Sequence, residues 1–407
     1  MISHRRLGVA RATGLALAIL LAWAGSARAR SLADVFRRPD LASLELAPLG
    51  PALADAVATT YPVASASSSI TYAFNPATET FERQTRILGP ILGERAETIG
   101  ERQLDLALSY SYIRFSEING EDLDNLENSI RPDHKLIAFP IVRNGQPSFV
   151  KLRDGRLTTF LPVHVNLDLD VEAQILSPSV TYGITPDLDV NVTVPVIRTY
   201  LRLGIHDQVP DPRLPQFALP DGDPNAQSHA LSTSESSVGV GDILLRAKYV
   251  LMRGTPFDLA AGLGISTPTG NPQDFQGTGT TRVQPTLIAS RVFFDRIEPL
   301  LNLGMDLNAN DVSRSVVRWA VGATGRIVGD LGGALVFFGR NELAPQADQI
   351  AVPFFFQIER NDLYDASIGF RYLFADRGVI AANVLVPLNS AGLRADAIPT
   401  IEAELTF

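Results

Sequence analysis

From Val163 to Ile175 apolar and polar residues alternate without a break. Val163, Val165, Leu167, Leu169, Val171, Ala173 and Ile175 share one side, and His164, Asn166, Asp168, Asp170, Glu172 and Gln174 share the other. Successive side chains of a strand point to opposite faces, so this stretch is a β-strand with one dry side and one wet side. Its length narrows the choice of fold. Strands of soluble sandwiches run to about 5–6 residues, whereas a tilted strand crossing a bilayer needs about 9–11. On this reading the apolar side meets lipid, and His164, Asp168, Asp170 and Glu172 line a watery lumen.

The same grammar recurs down the chain. Leu104, Leu106, Leu108, Tyr110 and Tyr112 oppose Asp105, Ser109 and Ser111. Leu245, Ala247, Tyr249 and Leu251 oppose Asp242, Arg246 and Lys248. Val317, Trp319, Val321 and Ala323 oppose Arg318 and Arg326, and Ile368, Phe370 and Tyr372 oppose Arg371. The segments 103–115, 162–183, 187–203, 236–252, 256–269, 280–294, 296–309, 314–328, 331–341, 363–374, 378–389 and 397–407 make about twelve strands, within a range of about 10–14. Connections after every second strand, such as Thr185-Pro186-Asp187 and Gly329-Asp330, are short, and most of the others, including 116–161, 204–235 and 342–362, are long. Short turns at one end and long loops at the other fit an all-β, antiparallel, up-and-down transmembrane barrel.

Both ends of the chain agree with this. Residues 1–29 carry Arg5, Arg6 and Arg11, then an apolar core from Leu15 to Trp23, then Ala27-Arg28-Ala29. That is the order of a secretory signal peptide cleaved near Ala29, and its core is too short for a transmembrane helix. No later segment is a helical span, so residence in a membrane requires a closed barrel. At the other end Pro399, Ile401, Ala403, Leu405 and Phe407 alternate with Thr400, Glu402, Glu404 and Thr406. A chain stopping on such a strand resembles the closing strand of bacterial outer-membrane barrels. That resemblance makes Phe407 the assembly signal read by the barrel-assembly machinery.

Residues 30–102 do not alternate over membrane-spanning lengths. Segments 31–38 and 51–59 read as short helices, and 69–85 as a hairpin about Asn75-Pro76. Preceding a barrel at 103–407, this region is expected to form a luminal plug or a periplasmic segment.

Composition excludes much chemistry. The chain has no cysteine, which removes disulfides, thiolate metal sites and thiol nucleophiles. Its formal charge of −9 becomes more negative without the arginine-bearing leader, so nucleic acid is not a partner. The histidines, His4, His134, His164, His206 and His229, show no paired metal spacing. His164 and Asp168 share a face but lie about 13 Å apart along a strand, too far for a dyad. No metal, cofactor or catalytic residue is therefore expected. Acidic loops around Glu121 and Asp221 suit solvent and lipopolysaccharide, with divalent ions as bridges. The lumen-lining residues expected are His164, Asp168, Asp170, Glu172, Asp242, Arg246, Lys248, Arg318, Arg326 and Arg371, with Arg198 and Arg202 also inward, in a charge-paired interior.

Three further stretches carry a family resemblance: Leu88 to Gly100 leading into the first strand, Ser237 to Asp242 with Arg246 and Lys248-Tyr249, and Ser266 to Asn271. They resemble the proteobacterial outer-membrane barrels of the phenol-degradation meta-pathway family. The resemblance implies an outer-membrane channel or transporter for small hydrophobic or aromatic compounds, and it maps no site residues. The alternative is a structural or surface-interaction barrel with a packed lumen and no transport.

Overall fold

The computed structural model describes residues 31–37, 49–62, 65–66, 70–75, 80–83, 87–127, 137–140, 142–143, 146–147, 150–151, 157–158, 160–208, 228–254, 256–344, 362–374 and 377–407. The leader reading of residues 1–29 and the Asp221 loop lie outside these.

Among these residues twelve long strands, with a few short pieces at the long-loop end, wind in chain order around one closed wall. They are β1 (Leu104–Ile118), β2 (Phe160–Thr185), β3 (Leu188–Thr193, resuming as Val196–Gln208), β4 (Ser228–Val240, resuming as Leu244–Met252), β5 (Asp258–Ser266), β6 (Arg282–Ser290), β7 (Ile297–Asn308), β8 (Val316–Val328), β9 (Leu331–Glu342), β10 (Leu363–Phe374), β11 (Gly378–Pro387) and β12 (Ile398–Thr406). Each pairs antiparallel with the next, and β12 closes on β1 in the register Thr406↔Asp105 to Thr400↔Ser111. Leu104 and Phe407 exchange backbone bonds of 2.9 and 2.7 Å at the seam. No edge is left, as a wall in lipid requires.

β3 breaks at Pro195, which has no N–H to give the ladder. Both β3 and β4 run farther towards the long-loop end than alternation indicated, to Gln208 and from Ser228. The Ser- and Thr-rich run of β4 has no apolar side to betray it as a strand.

Along most of the wall the polarity of a soluble protein is inverted. On β7, Ile297, Leu301 and Leu303 are about half exposed, while Glu298, Leu300 and Asn302 are buried. On β12, Ile401 and Leu405 face out and Thr400, Glu402, Glu404 and Thr406 face in, all four buried. An exposed apolar belt around a polar interior is the signature of a wall solvated by lipid.

β2 departs from this pattern and corrects the sequence reading. Near the short-turn end Val180 and Tyr182 face out and Thr181 faces in. Carrying that alternation along the strand puts Ile175, Ala173, Val171, Leu169 and Leu167 inside, all 5% exposed or less. Asp168, Asp170 and Glu172 stand on the outer face, where Asp170 accepts a bond from Arg114 and Asp168 lies 3.5 Å from Arg202. Arg198 and Arg202 also face out. The expectation that Asp168, Asp170 and Glu172 line the lumen is therefore wrong. Of His164 only the backbone pairing with Gln208 is described, and its side chain lies outside the described residues. At 26 residues β2 is more than twice the length that crosses a bilayer, so its far half stands beyond the lipid. There the outside is wet and the dry side must turn inward.

The inner apolar face is covered by the start of the chain. A 3-10 turn, Leu32–Arg37, and a helix α1, Leu49–Thr60, bring Leu32, Ala33, Val35, Phe36, Leu53, Ala54 and Val57 into one core with Ile113, Phe115, Leu167, Leu169, Val171, Leu201 and Ile205. The chain then descends to a hairpin, Tyr72–Asn75 against Thr80–Arg83, and returns through 87–99 to β1.

Three substitutions separate the two environments. Leu301→Arg, on the exposed belt, should destabilise the barrel by about 2–4 kcal/mol because it places a charge in lipid. Leu167→Ala should cost about 2–5 kcal/mol by leaving a cavity in the inner core, and Asp168→Ala much less. Reversible urea unfolding in lipid vesicles measures all three. A cost for Asp168→Ala above that of Leu167→Ala would overturn the face assignment.

Candidate functional site: the occupied lumen

Residues 87–99 cross the lumen with almost no regular secondary structure, so their backbone groups need partners from elsewhere. Inward side chains of the wall supply them. Asn302 on β7 accepts from the Glu94 N–H and donates to the Glu94 carbonyl, each at 2.8 Å. Lys248 on β4 donates to the carbonyls of Glu97 at 2.6 Å and Arg95 at 3.2 Å. Arg371 on β10 donates to the Pro90 carbonyl at 2.7 Å. Asp189 on β3 accepts from the Ile99 N–H at 2.9 Å, and Ser290 on β6 accepts from that of Ala96 at 2.9 Å.

Charges close the arrangement. Arg95, wholly buried, meets the equally buried Glu298 of β7 at 2.7 Å through Nη2 and 3.3 Å through Nε. Glu298 also accepts from Ser290. Arg246 of β4 lies 3.5 Å from Glu94 and donates to Asn191 and Thr193 of β3. Arg371 faces Glu402 at 3.1 Å and Glu404 at 3.7 Å on β12. Glu97 has its carboxyl pushed above the usual carboxylate range by burial, against the pull of Arg95. Where the segment reaches the wall the backbones lie close: a Cβ on Gly183 would collide with the Gly100 carbonyl oxygen.

At the long-loop end the segment is tied to the loop before β6. Leu32 N–H donates to Asp274 at 3.0 Å, and Tyr61 Oη to the Phe275 carbonyl at 2.5 Å. Burial raises the Tyr61 phenol far above its ordinary value, so it stays a donor. No basic residue lies in the last turn of α1, and Arg340 of β9 fills that role by donating to Thr59 O at 3.0 Å. Between segment and wall remains a cavity of about 370 Å³. Tyr61, Leu92, Phe338 and Leu385 give it apolar surface, and Arg246, Arg282, Arg318, Arg340 and Asp306 give it charge.

Of the residues singled out in the sequence, Arg246, Lys248 and Arg371 hold the segment or its flanks. Arg318 and Arg326 face inward, with Arg318 on the cavity and 4.0 Å from Asp306. Asp242 also lines the cavity and braces the loop before β6, accepting from Gly270 N–H, Thr278 N–H and Thr278 Oγ1. Sequence reasoning missed Arg95, Glu94, Arg282 and Arg340 as functional positions. Alternation assigns Arg282 to an inward face, whereas nothing local marks Arg95, whose partner lies 203 residues away. Among the described residues no group of three or more His, Asp or Glu is placed to hold a metal ion.

A family model described as "Putative MetA-pathway of phenol degradation" matches residues 153–391. None of the curated proteins matches in sequence. Among solved structures, an outer-membrane channel from Pseudomonas putida F1 aligns at 12% identity over 77% of this chain and 98% of its own, with a TM-score of 0.46. The toluene transporter TodX of P. putida aligns at 12% identity over 75% and 89%, with a TM-score of 0.34. The toluene transporter TbuX of Ralstonia pickettii aligns at 10% identity over 76% and 90%, with a TM-score of 0.32.

Arg95→Leu strands a buried carboxylate, and the loss should be about 3–5 kcal/mol. Arg95→Leu with Glu298→Leu should recover much of it, since the uncompensated charge goes too. Protease cleavage within 87–99 of the folded barrel reports the release of the segment. Equal release in the single and double variants would mean the pair does not hold it.

Proposed function

Because this chain belongs to the phenol-degradation MetA-pathway family, we propose that it is an outer-membrane channel passing small hydrophobic or aromatic compounds, with residues 30–102 as its luminal plug. The observation that carries the reading is the apolar interior of the long-loop half. A water-filled porin has a polar lumen. Here Leu92, Ile175, Ile197, Phe338 and Leu385 line a cavity of about 370 Å³, within the range of small-molecule sites. A solute of low polarity would exchange water for that surface, while hydrophilic solutes would meet a segment pinned by the Arg95–Glu298 and Arg246–Glu94 ion pairs.

Those ion pairs also favour the second reading, a packed structural barrel with no transport. Uptake separates the two. Proteoliposomes holding the whole protein should take up phenol faster than empty vesicles beyond simple diffusion, and removal of residues 30–85 should raise single-channel conductance. Phenol entry equal to that of empty vesicles, with conductance unchanged by the truncation, would leave the structural barrel standing.

In this proposal residues 1–29 direct export and are removed near Ala29, the short turns face the periplasm, and the loops meet lipopolysaccharide. Phe407 acts on assembly: its side chain is half exposed, so it adds little packing to the folded wall. Deleting it should lower the amount recovered from outer membranes with little change in unfolding of what does assemble. Equal recovery would reduce Phe407 to the last residue of a strand, and N-terminal sequencing of the recovered protein tests the cleavage position.

A further inference from the structure

At the long-loop end of the lumen three inward arginines converge. Arg318 and Arg340 are direct cross-strand partners on β8 and β9. Arg282 lies on β6, its Nε donating to Asp306 of β7 at 2.7 Å. Asp306 is also the carboxylate nearest Arg318, at 4.0 Å. Other cations of this cavity have carboxylates of their own: Arg246 has Glu94, Lys248 has Asp189, and Arg394 has Asp365. Among the described residues these three guanidinium groups thus have one bonded carboxylate, Asp306, with Asp306 and Asp55 of α1 acting on Arg340 through space. Like charges directly opposite on neighbouring strands repel, so the trio is an arrangement that an anion would relieve.

A second observation points the same way. Arg282 is 5% exposed, yet its Nη2 has no hydrogen-bond partner among the described residues. A buried guanidinium nitrogen left unpaired is costly unless a ligand completes it. One inward position farther along β9 from Arg340 comes Phe338, and along β8 from Arg318 comes Ala320. Phe338 packs with Leu300, Ala320 and Val336, and Leu92 adds apolar surface to the same cavity. Charge and apolar surface therefore adjoin.

We propose that Arg282, Arg318 and Arg340 form a binding site for the carboxylate of a small aromatic acid whose ring rests against Phe338. Planar guanidinium groups bind carboxylates through paired N–H···O bonds, and Arg318 and the free Nη2 of Arg282 are the donors available for this. The proposal rests on the reading of the barrel as a passage for small aromatic compounds, and adds acids to the solutes that enter it.

Titration calorimetry of the whole folded protein with benzoate, phenol and inorganic phosphate tests this without any variant. Benzoate should bind saturably and at least about tenfold more tightly than either. Arg318→Gln should weaken benzoate about tenfold, Arg318→Lys less, and the outward Arg202→Gln not at all, with heat-modifiable gel migration confirming that each is folded. Phosphate binding as tightly as benzoate, or benzoate binding indifferent to Arg318→Gln, would overturn the site. Phenol uptake by proteoliposomes is read alongside. Uptake without a preference for benzoate removes the site and leaves the channel, whereas selective benzoate binding without uptake leaves the site and removes the channel.

Discussion

A backbone amide in lipid has no water to bond, and the rest of this structure depends on that constraint. It forces the wall to close through β1 and β12, and it turns the apolar side of each strand outward across the membrane. The polar sides then have nowhere to go but the lumen. Glu298, Arg371, Glu402, Glu404 and Lys248 are buried as a consequence of closure, and each needs a partner there. Residues 87–99 have the opposite deficiency, a stretch of chain with little secondary structure to satisfy its carbonyls and N–H groups. Wall and segment complete one another: Asn302 pairs with the Glu94 backbone as a neighbouring strand would, and Lys248 and Arg371 take carbonyls that no strand reaches.

Outside the lipid the constraint relaxes and the same sequence pattern reverses its meaning. Alternation says that two faces differ, and the solvent decides which is outer. Where β2 to β4 rise past the membrane, water wets Asp168 and Asp170, so Leu167 to Ile175 turn inward and need cover. The 3-10 turn at Leu32 and helix α1 provide it. One chain thereby builds a polar lumen across the lipid and an apolar lining under β1 to β3 beyond it.

This explains what was legible beforehand. β7, β8, β10 and β12 were readable because each stays within the lipid belt, where dry means outward. The strongest alternation in the chain reads inside out over Leu167 to Ile175, because length alone equates the strand with a membrane span when part of it extends beyond the membrane. β9 alternates least, its Gly332, Gly333 and Gly339 hiding the pattern, and it carries Arg340. Arg95 was beyond reach for a different reason. Its meaning depends on Glu298, and only the folded path of the segment brings the two together.

The junction of the two storeys is where the chemistry concentrates. Above it, the end of α1 and Tyr61 are tied to the wall by Arg340 and the Phe275 carbonyl. Below it, the charge-paired segment blocks the polar half. At that level the inward side chains change from arginine to Phe338 and Ala320 within one rung of β9 and β8. In the proposed channel an apolar solute would meet apolar surface beside the arginines, and an aromatic acid would meet donors for its carboxylate there as well, so the residues at this level would set what the barrel admits together with the width of the lumen.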